Sequence, residues 1–180
     1  MTLVVWRHPK PQAVAGLCLG CTDARVDARR AKRLAHRVRR WARRAGAPHV
    51  VLTSPLQRSA AVGRWLARWG WQHVLDERLA ELDFGSWDGR TWASIGAVPV
   101  QAWCDDFMNY APGGGEPVAA LLQRCTALLA EHAGSTPVCA VGHAGWISAA
   151  LWLQHHPGMS PTATAWPPAV RYGECVSLGA

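Results

Sequence analysis

Met1-Thr2-Leu3-Val4-Val5-Trp6-Arg7-His8-Pro9-Lys10 is the stretch on which the reading of the whole chain turns. Leu3 to Trp6 is an unbroken apolar run, stopped abruptly by Arg7-His8-Pro9. A run this short between polar stops predicts a strand buried on both faces. Arg7 and His8 then fall at its C-terminal end, where open α/β sheets place their ligands. A guanidinium offers a planar fork of donors for phosphate or carboxylate. An imidazole can attack phosphorus or move a proton near neutral pH. Alone, the pair fits better a strand that merely ends in polar residues; the remainder of the chain shifts that reading.

Working outward, Lys10 to Asp27 is a long loop punctuated by Pro11, Gly16 and Gly20. Long loops after buried strands are more often functional than idle. Ala28 to Ala45 predicts a helix, with Ala31, Leu34, Ala35, Val38, Trp41 and Ala45 on one face, arginines on the other, and Gly46 and Pro48 as its stop. His49 to Thr53 is a second buried strand, followed by Ser54-Pro55 as N-cap and first-turn proline of a helix over about 56–69. Trp71 to Leu75 is a third strand. Weak helical signals run from Thr91 to Tyr110, and Pro112 to Pro117 is a sharp break. Val118 to His132 is helical, Val138 to Val141 is a strand ending at Gly142-His143, and a helix follows from about Gly145 to Gln154. Pro157 to Pro168 is loop, and Glu174 to Leu178 is a final edge strand. The alternation predicts an α/β fold, a three-layer α/β/α sandwich with a mainly parallel central sheet.

The 180 residues are enough for one domain with a substantial core. We expect a single domain over 1–180, with residues about 77–117 as a lid-like insertion over the site. Hydrophobic residues make up 49%, which argues against disorder, and no apolar run reaches the length of a membrane span. Arg7 interrupts the N-terminus too early for a secretory h-region, so the expected location is the cytoplasm. Cys18 and Cys21 have C-x-x-C spacing, but no second pair completes a zinc site, and the six cysteines are read as reduced, packed thiols. Neither metal nor cofactor is expected. The net charge of +7 is concentrated between Arg25 and Arg44, which reads either as a nucleic-acid or membrane footprint or as the solvated face of one helix.

Three buried strands thus each deliver a phosphate-competent group at or just beyond the C-terminal end: Arg7-His8, Arg58 and His143. In a parallel sheet those ends converge on one rim. Two arginines and two imidazoles suit a phosphate dianion, and helix N-termini near Ser54 and Gly145 would add backbone donors. Glu77, Glu81, Asp83, Asp88 and Glu116 are the carboxylates within plausible reach.

The chain resembles the histidine phosphatase superfamily, also called phosphoglycerate mutase-like. Arg7-His8 matches its N-terminal signature. Thr53-Ser54-Pro55-Leu56-Gln57-Arg58 is similar to its Ser-Pro-x-x-Arg segment. Leu79 to Gly89 is similar to its L-x-E-x-x-x-G-x-x-E-G segment, and Pro112 to Glu116 to its Pro-Gly-Gly-Glu turn with one extra glycine. Val141 to Gly145 resembles its second histidine motif. The resemblance implies a metal-independent phosphomonoesterase with a phosphohistidine intermediate. It implies His8 as nucleophile, Arg7 and Arg58 as phosphate ligands, and His143 as a hydrogen-bond donor to the phosphoryl group. Glu81 would be the proton donor to the leaving group. Pro9 and Lys10 replace the family's usual Gly-Glu, and proline removes one backbone donor. Gly16 to Asp23, G-L-C-L-G-C-T-D, is similar to a run in α-ribazole phosphatase-like members. That likeness implies α-ribazole 5′-phosphate of cobalamin biosynthesis as substrate. Lys10, Cys18, Gly20 and Glu116 are further candidates for substrate contact. The alternatives are a broad-specificity sugar-phosphate or nucleotide phosphatase, a phosphoglycerate mutase-like enzyme, and a weakly catalytic nucleic-acid-binding module using helix 25–44. The preferred reading takes a small-molecule phosphate ester as its partner, with no nucleic acid and no membrane.

Overall fold

The computed structural model describes residues 3–134 and 136–179. The expected domain over 1–180 includes Met1, Thr2, Ser135 and Ala180, which lie outside the described residues. Five strands form one sheet: β1 (Leu3–Arg7), β2 (Val50–Thr53), β3 (Gln72–Leu75), β4 (Val138–Gly142) and β5 (Cys175–Leu178), in spatial order β3-β2-β4-β1-β5. All pairings are parallel except β1 with β5.

Side chains alternate across a strand, and β1 shows how this builds three layers. Leu3 and Val5 face the helices α5 (Val118–Glu131) and α6 (Ala144–His155), packing with Leu121, Leu128, Trp146 and Ile147. Val4 and Trp6 face α1 (Ala28–Ala45) and α2 (Gln57–Ala67), packing with Leu34, Val38, Val62 and Leu66. Each such aliphatic side chain contributes about 1.5–3 kcal/mol on burial. A strand buried on both faces has no polar alternate positions, which is why β1 reads as a continuous apolar run.

Helix α1 has the predicted bounds. Asp27 caps its first turn, accepting from the Arg30 N–H at 2.9 Å. Gly46 ends it at φ 63°, a left-handed conformation that glycine adopts without strain. Two expectations are corrected. Ser54 is not the cap of α2: Leu56 holds that position, and the Ser54 hydroxyl accepts from the Leu56 N–H at 3.2 Å while meeting His143 Nε2 at 2.7 Å. The signals at 91–110 resolve into two short helices, α3 (Trp92–Ile95) and α4 (Ala97–Asp105), separated by Gly96. No helix of the described residues is long and apolar enough to cross a membrane.

The sheet register decides the site. Arg7 pairs with Gly142, and Thr53 with Val141, so β1, β4 and β2 end side by side. His8, His143 and Ser54 are the next residues along, and they emerge on one rim. The β3–α5 segment carries Glu81 to this rim. It is held by Asp88, which accepts from the N–H groups of Gly20 and Thr22, and by an isolated bridge between Leu17 and Thr91.

Candidate active site

His8 follows β1 and is fixed by its backbone, whose N–H donates to the Gly142 carbonyl at 3.0 Å. The ring is buried. Its Nδ1 lies 2.8 Å from the Pro9 carbonyl oxygen. A carbonyl only accepts, so Nδ1 carries the proton, and Nε2 keeps its lone pair. Nε2 has no hydrogen-bond partner among the described residues. Burial, and then the Arg58 charge, push the His8 pKa down to about 3; the Pro9 carbonyl opposes this and Arg7 adds to it. The imidazole is therefore neutral across the physiological range.

Arg58 is buried in the first turn of α2. Its Nε donates to His143 Nδ1 at 3.2 Å, and its two terminal nitrogens donate to the carbonyls of Thr22 and Gly20. A guanidinium has about five N–H donors, so these three leave about two for a ligand. Gly20 itself packs against the segment that follows Glu81: a Cβ there would collide with the Leu82 carbonyl. Arg7 donates to the Val170 carbonyl at 2.7 Å and lies over the Tyr172 ring, 3.8 Å from its centroid. Its Nε is buried without a partner among the described residues. An unsatisfied buried donor is costly.

His143 lies beside His8, with ring centroids 4.9 Å apart. It is fully buried, which, with His8 and then Arg58, holds its pKa well below the ordinary histidine value. Nδ1 accepts from Arg58, so Nε2 carries the proton and donates to the Ser54 hydroxyl at 2.7 Å. Both ring nitrogens are thus engaged within the protein. The expected donation from His143 to a phosphoryl oxygen has no free ring N–H in this arrangement, because Ser54 and Arg58 flank the ring.

Glu81 is buried at the N-terminus of α6. Its Oε2 accepts from the Gly145 N–H and its Oε1 from the Leu82 N–H, both at 3.1 Å. The backbone donor expected from Gly145 for a ligand is therefore given to Glu81. A Cβ at residue 145 would run into Oε1, which is why glycine stands there.

Of the remaining candidates, Glu116 pairs with Arg124 at 2.7 Å, and Cys18 is packed in a small cluster with Trp87 and Ile95. Burial, and then Asp88, push the Cys18 pKa to about 12, so it is a protonated packing thiol rather than a substrate contact. Lys10 is exposed and lines a surface cavity of 390 Å³ with Arg30, Arg33, Arg37 and Tyr172. Sequence reasoning missed three residues. Ser54 holds His143, and Tyr172 covers Arg7. Arg124 donates to the carbonyls of Arg78, Ala80 and Glu81, clamping the turn that carries the acid. The available signal was that Arg124 is the sole cation in α5. No cluster of His, Cys, Asp or Glu among the described residues is placed to hold a metal ion.

A cavity of 370 Å³ opens beside Glu81, and its lining also includes Ala144, Gly145, Phe84, Trp103, Phe107 and Trp166.

Comparisons bear on this geometry. The fold is similar to that of the α-ribazole phosphatase from Shigella flexneri, with TM-score 0.77 and 27% identity, covering 98% of this chain and 89% of that one. It is similar to a candidate α-ribazole-5′-phosphate phosphatase from Escherichia coli, with TM-score 0.79 and 26% identity, covering 98% and 89%. A mycobacterial glucosyl-3-phosphoglycerate phosphatase in complex with VO3 matches with TM-score 0.77 and 25% identity, covering 99% and 92%. No curated protein sequence matches. The family pattern of the histidine phosphatase superfamily, branch 1, matches residues 3–169, a span that takes in the whole rim from Arg7 to His143; the chain belongs to that superfamily and is a phosphatase.

Proposed function

We propose that the chain is a phosphomonoesterase that works through a phosphohistidine at His8, with α-ribazole 5′-phosphate as its substrate. The observation that carries the mechanism is the His8 tautomer: Nδ1–H is tied to the Pro9 carbonyl, which leaves the Nε2 lone pair as the unengaged nucleophile. Nε2 attacks phosphorus while the bond from phosphorus to the leaving oxygen breaks. Arg7 and the two remaining donors of Arg58 bind the equatorial oxygens, where charge develops. His143 and Ser54 fix the Arg58 guanidinium in this position and act as positioning residues. Glu81 gives a proton to the leaving alkoxide, then takes one from the water that attacks the phosphohistidine, so that ester and water become alcohol and phosphate. Residues 77–117 act as the lid that carries Glu81.

The substrate reading rests on the Gly16 to Asp23 run and on the likeness to the Shigella flexneri and Escherichia coli proteins. Phosphate release from a panel of esters tests it, with α-ribazole 5′-phosphate expected to give the highest kcat/KM. His8→Ala should abolish nearly all turnover with an unchanged circular dichroism spectrum. A folded His8→Ala enzyme with near-wild-type activity would sink the mechanism.

A further inference from the structure

The cavity beside Glu81 has a chemistry of its own. A leaving oxygen that receives a proton from Glu81 must come within hydrogen-bond reach of it, so the group carried by that oxygen extends into the space Glu81 lines. That space measures 370 Å³, within the range of small-molecule sites. Its lining carries four aromatic rings: Phe84, Trp103, Phe107 and Trp166. Phe84 and Phe107 each pack against Trp103, with centroids 5.7 and 5.4 Å away, and Phe107 packs edge-on against Trp166 at 5.3 Å. The wall is thus a mutually braced set of rings. Among the described residues, the only charged one in the lining is Glu81. A carboxylate or second phosphate on the leaving group would meet a like charge there and no cation. Sugar hydroxyls would give up water for apolar carbon, a cost that a plain sugar bears alone and that a base-bearing riboside offsets with a ring stacked on the aromatic lining.

We infer that this cavity is the leaving-group subsite, and that Trp103, Phe107 and Trp166 select phosphate esters whose alcohol carries a flat, uncharged heteroaromatic ring, against plain sugar phosphates and sugar-acid phosphates. The inference rests on the phosphomonoesterase reading of His8 and Glu81, and it separates the two kinds of relative: it favours a base-bearing substrate over a glycerate-bearing one.

The test uses a matched pair, ribose 5-phosphate and a benzimidazole riboside 5′-phosphate, which share the reacting oxygen and the sugar and differ in the base. The wild-type enzyme should prefer the base-bearing ester by at least about 10²-fold in kcat/KM. Trp166→Ala, which removes part of the wall, and Ala163→Trp, which fills the cavity, should each cut that ratio at least tenfold; a ratio cancels any damage common to both esters. A wild-type ratio near one overturns the inference, and so does a high ratio that neither variant changes. If neither ester releases phosphate, the phosphatase reading fails separately. A tryptophan-fluorescence titration with the same two esters then decides the cavity: tenfold weaker binding of the base-bearing ester in Ala163→Trp supports the assignment, and unchanged binding overturns it.

Discussion

His8 refuses a proton in the folded chain, and this has a measurable consequence for stability. An exposed histidine in the unfolded chain titrates near 6.5, and the folded His8 near 3. Above about pH 6.5 both states are neutral at this position, and His8 has no pH-dependent effect. As pH falls below 6.5 the unfolded chain binds a proton that the folded site excludes, so stability is lost progressively until the folded group itself titrates near 3. At pH 5 the unfolded histidine lies 1.5 units above the ambient pH, and at about 1.36 kcal/mol per unit the loss relative to pH 7 is about 2 kcal/mol. His8→Asn removes the titration while keeping a donor to the Pro9 carbonyl. Urea unfolding followed by tryptophan fluorescence, at pH 7 and pH 5, gives four free energies. Wild type should lose about 2 kcal/mol more than His8→Asn between the two pH values; the depressed His143 adds a loss of the same sign to both proteins. Phosphate must be left out of the buffer, because an anion held by Arg7 and Arg58 would stabilise protonated His8. Equal losses in the two proteins would refute the reasoning, since His8 would then titrate alike folded and unfolded, and the neutral nucleophile would not be a property of the fold.

Glu81→Gln should slow hydrolysis of alkyl phosphates by about 10²–10⁴-fold, but should affect the phosphorylation step with p-nitrophenyl phosphate far less, since nitrophenolate leaves without a proton. Equal single-turnover losses on both esters would place the proton donor elsewhere. Replacing Arg33, Arg37 and Arg40 by Gln should leave turnover of a small phosphate ester within about threefold, because exposed charges are screened over roughly 8–10 Å. A large loss, or tight and salt-sensitive oligonucleotide binding by the parent chain, would instead give the basic face of α1 a role in function.

The sheet, and the meeting of Arg7, His8, Arg58 and His143 on one rim, were legible because they rest on local rules. Leu3 to Trp6 reads as a doubly buried strand from four residues, and the groups at strand ends follow from topology. The end of helix α1 was legible because Gly46 is a chemical end-mark, whereas the cap that Asp27 supplies at its start emerged only with the structure. The partners of the site were not legible, because each joins residues far apart in sequence: Ser54 with His143, Tyr172 with Arg7, Arg124 with the Glu81 turn. Ser54 illustrates the difficulty. Ser-Pro before a helix is a cap signal, and only the register of β2 against β4 turns the hydroxyl to the histidine. Gly145 was legible as a motif residue, but its purpose required Glu81 in place beside it.

The central claim is that Nε2 of His8 takes the phosphoryl group. Rapid-quench trapping during turnover of a phosphate ester, followed by peptide mapping under alkaline conditions, measures this directly. The account predicts one phosphoryl group per chain on the peptide carrying His8, stable to base, lost in acid, and absent from His8→Asn. A phosphoryl group on a serine, aspartate or cysteine would contradict it, and so would steady turnover with His8 unmodified at every quench time.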